Sequence, residues 1–193
     1  MKGGFDDRYS RFMNYEKGGN VVTKQETLRP QDVVVALQLV LTPEAAYLDL
    51  SSSVGLSTGE VHNAVGRLRR ARLLFAEGRS VIIPSLQDFV SYGVPYAFPA
   101  ELGVETRGVP TAYSAPPLAD SFRSAEPVIW PSTEGTVRGQ SLVPLLPSAP
   151  KLARSNPVLH RLLALVDALR IGRARERNQA KMFLDQALRE GTI

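Results

Sequence analysis

The chain has 193 residues, of which 44% are hydrophobic, and this is enough to bury one substantial core. It contains no cysteine, which excludes disulfides and thiolate metal sites and is compatible with a reducing cytoplasm. The net charge is only +4, but basic residues concentrate in 55–80 and 161–181 while acidic residues predominate in 84–150, so a polyanionic partner would meet the two flanking segments.

The first 28 residues form a polar N-terminal arm without the apolar run of a signal peptide. The longest apolar runs of the chain are far shorter than the roughly 20 residues that a membrane span needs. We therefore expect a soluble, cytoplasmic protein with no membrane partner.

Residues 29–83 carry the sequence signals of helices. Pro30 stands at the start of DVVVALQLVL, which predicts a helix, although its three consecutive valines would also suit a strand. Thr42 and Pro43 predict a cap and a first-turn proline for a second helix over about 43–53. Ala46, Leu50 and Val54 would form its buried face.

The run GLSTGEVHNAVGRLRRARLLF, residues 55–75, predicts a third helix. Gly55 can end the second helix, Ser57 can cap the third, and Glu60 can close a capping box. Val61, Val65 and Leu68 would then face inward. The outward residues would be Thr58, Gly59, His62, Asn63, Gly66, Arg67 and Arg70. The following LLFAEGRSVIIP predicts two short strands around Gly78.

The order helix, turn, helix, hairpin and the motif DLSSSVGLSTGEVHNAVGRLRRARLL resemble the core of MarR-like winged helix-turn-helix transcriptional regulators. The resemblance covers about residues 30–83. The positions that match the pattern are Leu50, Gly55, Leu56, Ser57, Val61, Leu68, Leu73 and Leu74. Arg72 departs from it, because the pattern usually has glycine there. The resemblance implies that helix 58–71 enters the major groove of DNA while the hairpin approaches the backbone or minor groove.

The side chains on the outward face suit such a role. Asn63 can pair with adenine and Arg67 with guanine. The residues suited to phosphate contacts are Ser57, Thr58, Arg69, Arg70 and Arg79. Gly59 permits close approach of the helix, and His62 lies on the same face. The alternative is a winged helix that binds a protein partner and whose arginines are merely solvated.

Residues 84–155 hold most of the prolines, and the stretch 89–130 contains seven of the fourteen aromatic residues. Prolines exclude long helices, while aromatic residues argue against a flexible linker. Ser85 and Asp88 predict a capping box for one short helix. Beyond it we expect an irregular, ordered segment that covers the rest of the molecule or that binds a protein partner or a small-molecule effector with groups such as Arg107, Tyr113 and Arg138.

Residues 156–193 predict a C-terminal helical region. Asn156 and Pro157 begin a helix, and Gly172 separates it from a second one. The predicted homodimer seam consists of Leu159, Leu162, Val166 and Leu169, with Phe183 and Leu184 from the last helix. Arg170, Arg173, Arg177 and Lys181 would form one basic helical face. This face is either the solvated side of a dimerisation helix, a second contact to the DNA backbone, or a dock for the acidic middle segment.

No enzymatic motif is present. His62 and His160 are too few for a metal site, and the chain has no nucleophile elbow, phosphate loop or dinucleotide fingerprint, so we expect no enzyme, metal or cofactor. The sequence predicts a mainly α fold with a small β hairpin. Its predicted function is that of a dimeric, sequence-specific DNA-binding repressor; the alternative is an adaptor or antitoxin-like subunit that binds a protein.

Overall fold

The computed structural model describes residues 26–122 and 126–191, and the first 25 residues of the predicted arm lie outside that range. The helices are α1 Pro30–Leu41, α2 Tyr47–Val54, α3 Thr58–Arg70, α4 Ile83–Asp88, α5 Val94–Ala97, α6 Ala149–Ser155, α7 Pro157–Ile171 and α8 Ala174–Glu190. The strands are β1 Leu102–Pro110, β2 Val128–Pro131 and β3 Val137–Leu142. The fold is mixed, with more helix than strand.

Helices α1, α2 and α3 pack against one another around a buried apolar centre. The valine run is helical, and Pro30 occupies the first helical position as the sequence predicts. Helix α2 begins at Tyr47, later than expected, because Thr42 is the C-cap of α1 and its hydroxyl donates to the carbonyl of Gln38. Gly55 ends α2 with a φ of 67°, a left-handed conformation that glycine adopts without steric cost.

The hairpin after α3 is shorter than the two strands that the sequence predicts. A single bridge joins Leu74 and Val81. Two backbone bonds flank it, since the N–H of Phe75 donates to Ser80 at 3.0 Å and the N–H of Ile82 donates to Leu73 at 2.9 Å. Gly78 takes the positive φ of the turn.

Residues 83–97 are helical almost throughout. Helix α4 begins at Ile83 with Pro84 in its first turn, so the predicted cap at Ser85 is wrong and no side chain caps this end. A π-helical turn over Phe89–Gly93 links α4 to α5. One helical element thus runs further into the proline-rich region than its composition indicates.

Strands β1, β2 and β3 form a small closed sheet that the sequence analysis did not predict. Strand β1 pairs antiparallel with both neighbours, placing Gly108 opposite Pro131 and also opposite Val137. Strands β2 and β3 pair in parallel. A Cβ at Gly108 would lie 2.0 Å from the carbonyl oxygen of Trp130, so only glycine allows this close strand crossing.

Helices α7 and α8 begin and end near the positions expected. Asn156 caps α7, accepting from the N–H of Leu159 at 3.2 Å, and Gly172 is its C-cap. The predicted dimer seam requires correction, because its residues are already buried inside one chain. Leu159, Leu162, Val166, Leu169 and Leu184 are at most 3% exposed, and Phe183 packs against the same core. Apolar spacing identified a buried stripe but could not identify what covers it.

The predicted basic face of the C-terminal region also requires correction. Arg170 belongs to α7, where it bonds Asp167 and the carbonyl oxygens of Phe98 and Val143. Arg173, in contrast, is the N-cap residue of α8. Arg170 is therefore turned into the protein rather than aligned with the basic side chains of α8.

One hydrophobic cluster contains buried residues from the N-terminal helices, the sheet and the C-terminal helices. None of the helices in the described ranges combines the length and apolar character that crossing a membrane requires.

Candidate nucleic-acid interface

The N-terminal half of α3 is an exposed surface held by a complete capping box. Thr58, Gly59, His62 and Asn63 are all exposed. At the cap, the N–H of Glu60 donates to the Ser57 hydroxyl at 3.2 Å, and Ser57 donates its own N–H and hydroxyl to the Glu60 carboxylate. The side-chain hydrogen bond from Ser57, followed by the backbone one, lowers the pKa of Glu60. The Ser57 hydroxyl proton is thus used within the cap, whereas the Thr58 side chain bonds to no other residue within the described ranges.

Nothing in the described chain crowds this surface near the cap. A Cβ added at Gly59 would have no neighbour within 4 Å among the described residues. Buried Val61, Ala64, Val65 and Leu68 hold the opposite face of α3 against the core. The helix therefore presents one open polar face at a fixed orientation.

Arg67 does not belong to this exposed face, which corrects the prediction that it reads guanine. Its side chain is only 8% exposed, and its Nε and Nη2 donate to the two carboxylate oxygens of Asp32 at 2.7 and 2.6 Å. Hydrogen bonding to Asp32 raises the pKa of the guanidinium. The backbone N–H of Arg29 donates to the same carboxylate at 2.8 Å. Arg67 therefore locks α3 to the start of α1.

Arg69 and Arg79 hold the hairpin in place. Arg69 donates to the carbonyl of Gly78 at 2.7 Å, which ties α3 to the turn. Arg79 donates to the carbonyl of Ala45 at 2.5 Å, and its guanidinium lies 4.8 Å from the centre of the Tyr47 ring. Both side chains remain partly exposed. Only the guanidinium nitrogens that do not make these bonds can contact a phosphate.

The Tyr47 ring also contacts the exposed face of α3. Its centroid lies 5.5 Å from that of His62, with the rings tilted by 41°. Tyr47 therefore lies between the hairpin arginine Arg79 and the exposed imidazole. The sequence analysis missed this residue, since a single tyrosine at the start of a helix carries no pattern.

Arg70 lies on the exposed side of α3 and pairs with Glu26, in the segment that precedes α1. A cavity of about 450 Å³ lies beside this pair. It is lined by Glu26, Thr27, Arg29, His62, Asn63, Gly66, Arg67 and Arg70. Of its arginines, Arg29 and Arg70 are exposed. Four predicted contact residues, His62, Asn63, Arg67 and Arg70, thus meet the segment before α1, which no sequence pattern connected with them.

Arg72 takes the left-handed backbone conformation at the end of α3, with a φ of 59°. Glycine adopts this conformation without steric cost, whereas a residue with a Cβ does not. An L residue pays roughly 1–2 kcal/mol there. The Arg72 side chain is exposed and adds a positive charge beyond the C-terminal end of α3.

Of the residues singled out in the middle segment, Arg107 and Arg138 lie opposite each other in the pairing of β1 with β3, whereas Tyr113 lies elsewhere. Tyr113 lines a cavity of about 580 Å³ between the sheet region and the start of α8, and its pKa is raised by burial, with Glu176 adding to the effect. Arg138 pairs with Glu105 at 3.0 Å on the outside of the sheet, and Arg107 is exposed on β1. The three residues thus do not form a common ligand site.

The described residues contain no cluster of three or more potential metal-ligating side chains among His, Cys, Asp and Glu. Comparison of the chain with protein-family models, curated proteins and solved structures found no match.

Proposed function

We propose that this chain is a sequence-specific DNA-binding regulator that places the N-terminal half of α3 in the major groove. The observation that carries the proposal is the open polar face of the capped helix, formed by Thr58, Gly59, His62 and Asn63. An α-helix fits the major groove, and short side chains at its N-terminal end let the backbone approach base edges.

The corrected position of Arg67 changes how sequence is read. Asn63 remains suited to adenine, and the Thr58 methyl group can contact the methyl group of thymine. Since Arg67 is bound to Asp32, its guanine contact is withdrawn from the proposal. The reading face thus favours A·T pairs at the positions it touches.

The charge available for phosphate contacts is smaller than the sequence indicates. Arg29 and Arg70 are exposed beside the face, and Arg72 is exposed beyond the C-terminal end of α3, whereas Arg69 and Arg79 hold the hairpin. About three phosphates neutralised per protomer give a log–log salt slope of about −3, since each contributes about −0.9. One helix reads one half-site, so a homodimer stays part of the proposal, with a surface other than the α7 stripe.

Mobility-shift titration against fragments of the source genome, followed by selection of the bound fragments, tests the proposal. We expect Asn63→Ala to lower the preference for the selected site by about 1–3 kcal/mol, while Asn178→Ala, an exposed asparagine on α8, leaves binding unchanged. Gly59→Glu should abolish binding without unfolding, because no described residue lies near that position. Unchanged binding by Gly59→Glu would show that α3 does not enter the groove.

One observation favours a second function, in which the winged region binds a protein partner. Four arginines of the 55–80 segment are engaged within the chain: Arg67, Arg69, Arg70 and Arg79. The surface therefore presents fewer free positive charges than the number of arginines in the segment indicates. This function predicts that the folded protein fails to bind any duplex even at low salt, which the same titration measures.

A further inference from the structure

The segment that precedes α1 lies on the exposed side of α3, and its position there is fixed. Leu28 packs against the core, and the N–H of Arg29 donates to Asp32, the same carboxylate that holds Arg67. Glu26 is only three residues from this anchor. Its carboxylate pairs with Arg70, and both side chains are about half exposed, at 47% and 48%.

The Glu26 carboxylate occupies a position that suits a phosphate oxygen. Arg70 is exposed on α3, and the cavity beside it is also lined by Arg29, Asn63 and His62. A carboxylate and a phosphate compete for the same guanidinium, because both accept its N–H groups in the same fork geometry. A free carboxylate left beside the DNA backbone would also repel it.

We propose that Glu26 is a built-in competitor of DNA, which must leave Arg70 before a backbone phosphate can take its place. This inference rests on the proposed function of α3. Because phosphate contacts carry no sequence information, the competition lowers affinity for cognate and random duplexes by the same factor. It also reduces the salt dependence, since the displaced carboxylate takes up a cation while the phosphate releases one.

The test is a binding titration of the full chain with a cognate and a random duplex over a range of salt concentrations. Glu26→Gln should tighten binding about three- to tenfold at low salt, as expected for removing a half-exposed ion pair and its repulsion of phosphate. The gain should be equal for both duplexes. The log–log salt slope should steepen by up to about 0.9.

Two controls separate competition from a simple change in net charge. Glu101→Gln removes one exposed carboxylate in the segment before β1 and should leave affinity nearly unchanged. In an Arg70→Ala background, Glu26→Gln should give a much smaller gain, because the competition for Arg70 has gone and only the repulsion between the carboxylate and the DNA backbone remains. Glu26 and Arg70 are half exposed, so their variants should have unfolding midpoints in denaturant close to that of the wild type. Circular dichroism measures these midpoints.

The outcomes separate this inference from the function on which it rests. Wild-type binding with no gain from Glu26→Gln, or an equal gain in the Arg70→Ala background, overturns the competition alone. Weaker binding by Glu26→Gln also overturns it and shows that Glu26 orients Arg70 for contact. Failure of both wild type and Glu26→Gln to bind any duplex overturns the proposed function and the competition together.

Discussion

The packed helices α1 to α3 and the contact between α7 and the sheet each bury one aspartate, but they satisfy its carboxylate differently. Asp32 on α1 accepts two bonds from Arg67 on α3, and its other bond comes from the nearby backbone N–H of Arg29. Asp167 on α7 accepts from Trp130 of β2, from Thr111 at the end of β1 and from Arg170. The Asp32 carboxylate depends on one side-chain partner, Arg67, whereas the Asp167 carboxylate accepts bonds from side chains of several elements.

The electrostatics of the two carboxylates differ accordingly. Burial raises the pKa of the Asp167 carboxyl, while the Arg170 charge and the bonds from Thr111, Arg170 and Trp130 act against that shift. Asp32 instead forms a bidentate pair that raises the pKa of its partner Arg67. One substitution removes both side-chain bonds of the Asp32 pair and should greatly lower the free energy of unfolding. One substitution in the Asp167 network removes one bond among several and should lower it less.

The largest effect should follow from breaking the single pair. Arg67→Ala leaves the buried Asp32 charge without its partner, and we expect it to lower the free energy of unfolding by about 3–5 kcal/mol. Chemical denaturation followed by circular dichroism measures this loss. The matched control is Arg70→Ala, which breaks a half-exposed pair and should cost at most about 1 kcal/mol.

Replacing both partners of the pair sharpens this result. The double variant Asp32→Leu with Arg67→Met removes both charges and keeps most of the volume, so it should recover most of the stability lost by Arg67→Ala. Equal stability losses for Arg67→Ala and Arg70→Ala would contradict the assignment and would return Arg67 to the exposed face.

The network should show a smaller loss from one donor. Thr111→Val keeps the shape of the side chain and removes only the hydroxyl that donates to Asp167 at 2.8 Å. Trp130 and Arg170 still satisfy the carboxylate, so we expect a loss of about 1–2 kcal/mol in urea denaturation. Thr133→Val, at an exposed position between β2 and β3, should cost almost nothing. A loss as large as that of Arg67→Ala would mean that the network behaves as a single pair.

The sequence predicted the helical regions well because their signals are local. The capping box of Ser57 and Glu60, the left-handed Gly55 and the pair Asn156–Pro157 each act within a few residues of the helix end that they define. The sheet was missed because β1 and β3 lie far apart in the chain and contain little strict alternation. Only VIW, at the start of β2, carried a strand signal, and it is three residues long.

The candidate site was predicted only in part, for a related physical reason. Helical spacing gave the buried face of α3, but 100° of rotation per residue leaves the flanking positions ambiguous, and Arg67 lies at such a position. The Arg67 side chain turns inward because it pairs with Asp32, a charged residue at the start of an apolar run. A charge that is buried with an apolar run requires a partner of opposite charge. This requirement was the sequence signal that one arginine would be buried. The prediction that the apolar stripe on α7 forms a dimer seam was wrong for a similar reason, because apolar periodicity does not distinguish a core from an interface.

Replacing Arg72 by glycine should stabilise the fold, and by less than Arg67→Ala and Thr111→Val destabilise it. Arg72→Gly relieves the left-handed backbone, worth roughly 1–2 kcal/mol, and loses about 0.5–1 kcal/mol through the greater freedom of glycine in the unfolded chain. We expect a net stabilisation of about 0.5–1 kcal/mol in thermal or urea unfolding. Arg70→Gly, within helix α3, should destabilise by a similar amount. A destabilised Arg72→Gly would show that its side chain contributes more than the backbone costs.

The smallest expected effect is a pH dependence of stability that comes from His160. His160 packs 5.2 Å from the Trp130 ring and bonds the carbonyl of Pro110 through Nε2. Burial lowers its pKa, while that carbonyl and Asp167 act in the opposite direction and Arg161 adds to the lowering. The unfolded chain therefore binds the proton more readily. Stability is fully present above the unfolded value of about 6.5 and falls as pH decreases below it.

This pH dependence is isolated by comparing variants rather than by the wild-type profile, since carboxylates also titrate on acidification. Unfolding free energies of wild type and His160→Gln should converge between pH 7.5 and 5.5, because only the wild type loses the contribution of His160. Parallel curves for His160→Gln and wild type would mean that His160 titrates alike in the folded and unfolded chain, and that its contact with the sheet does not affect its protonation.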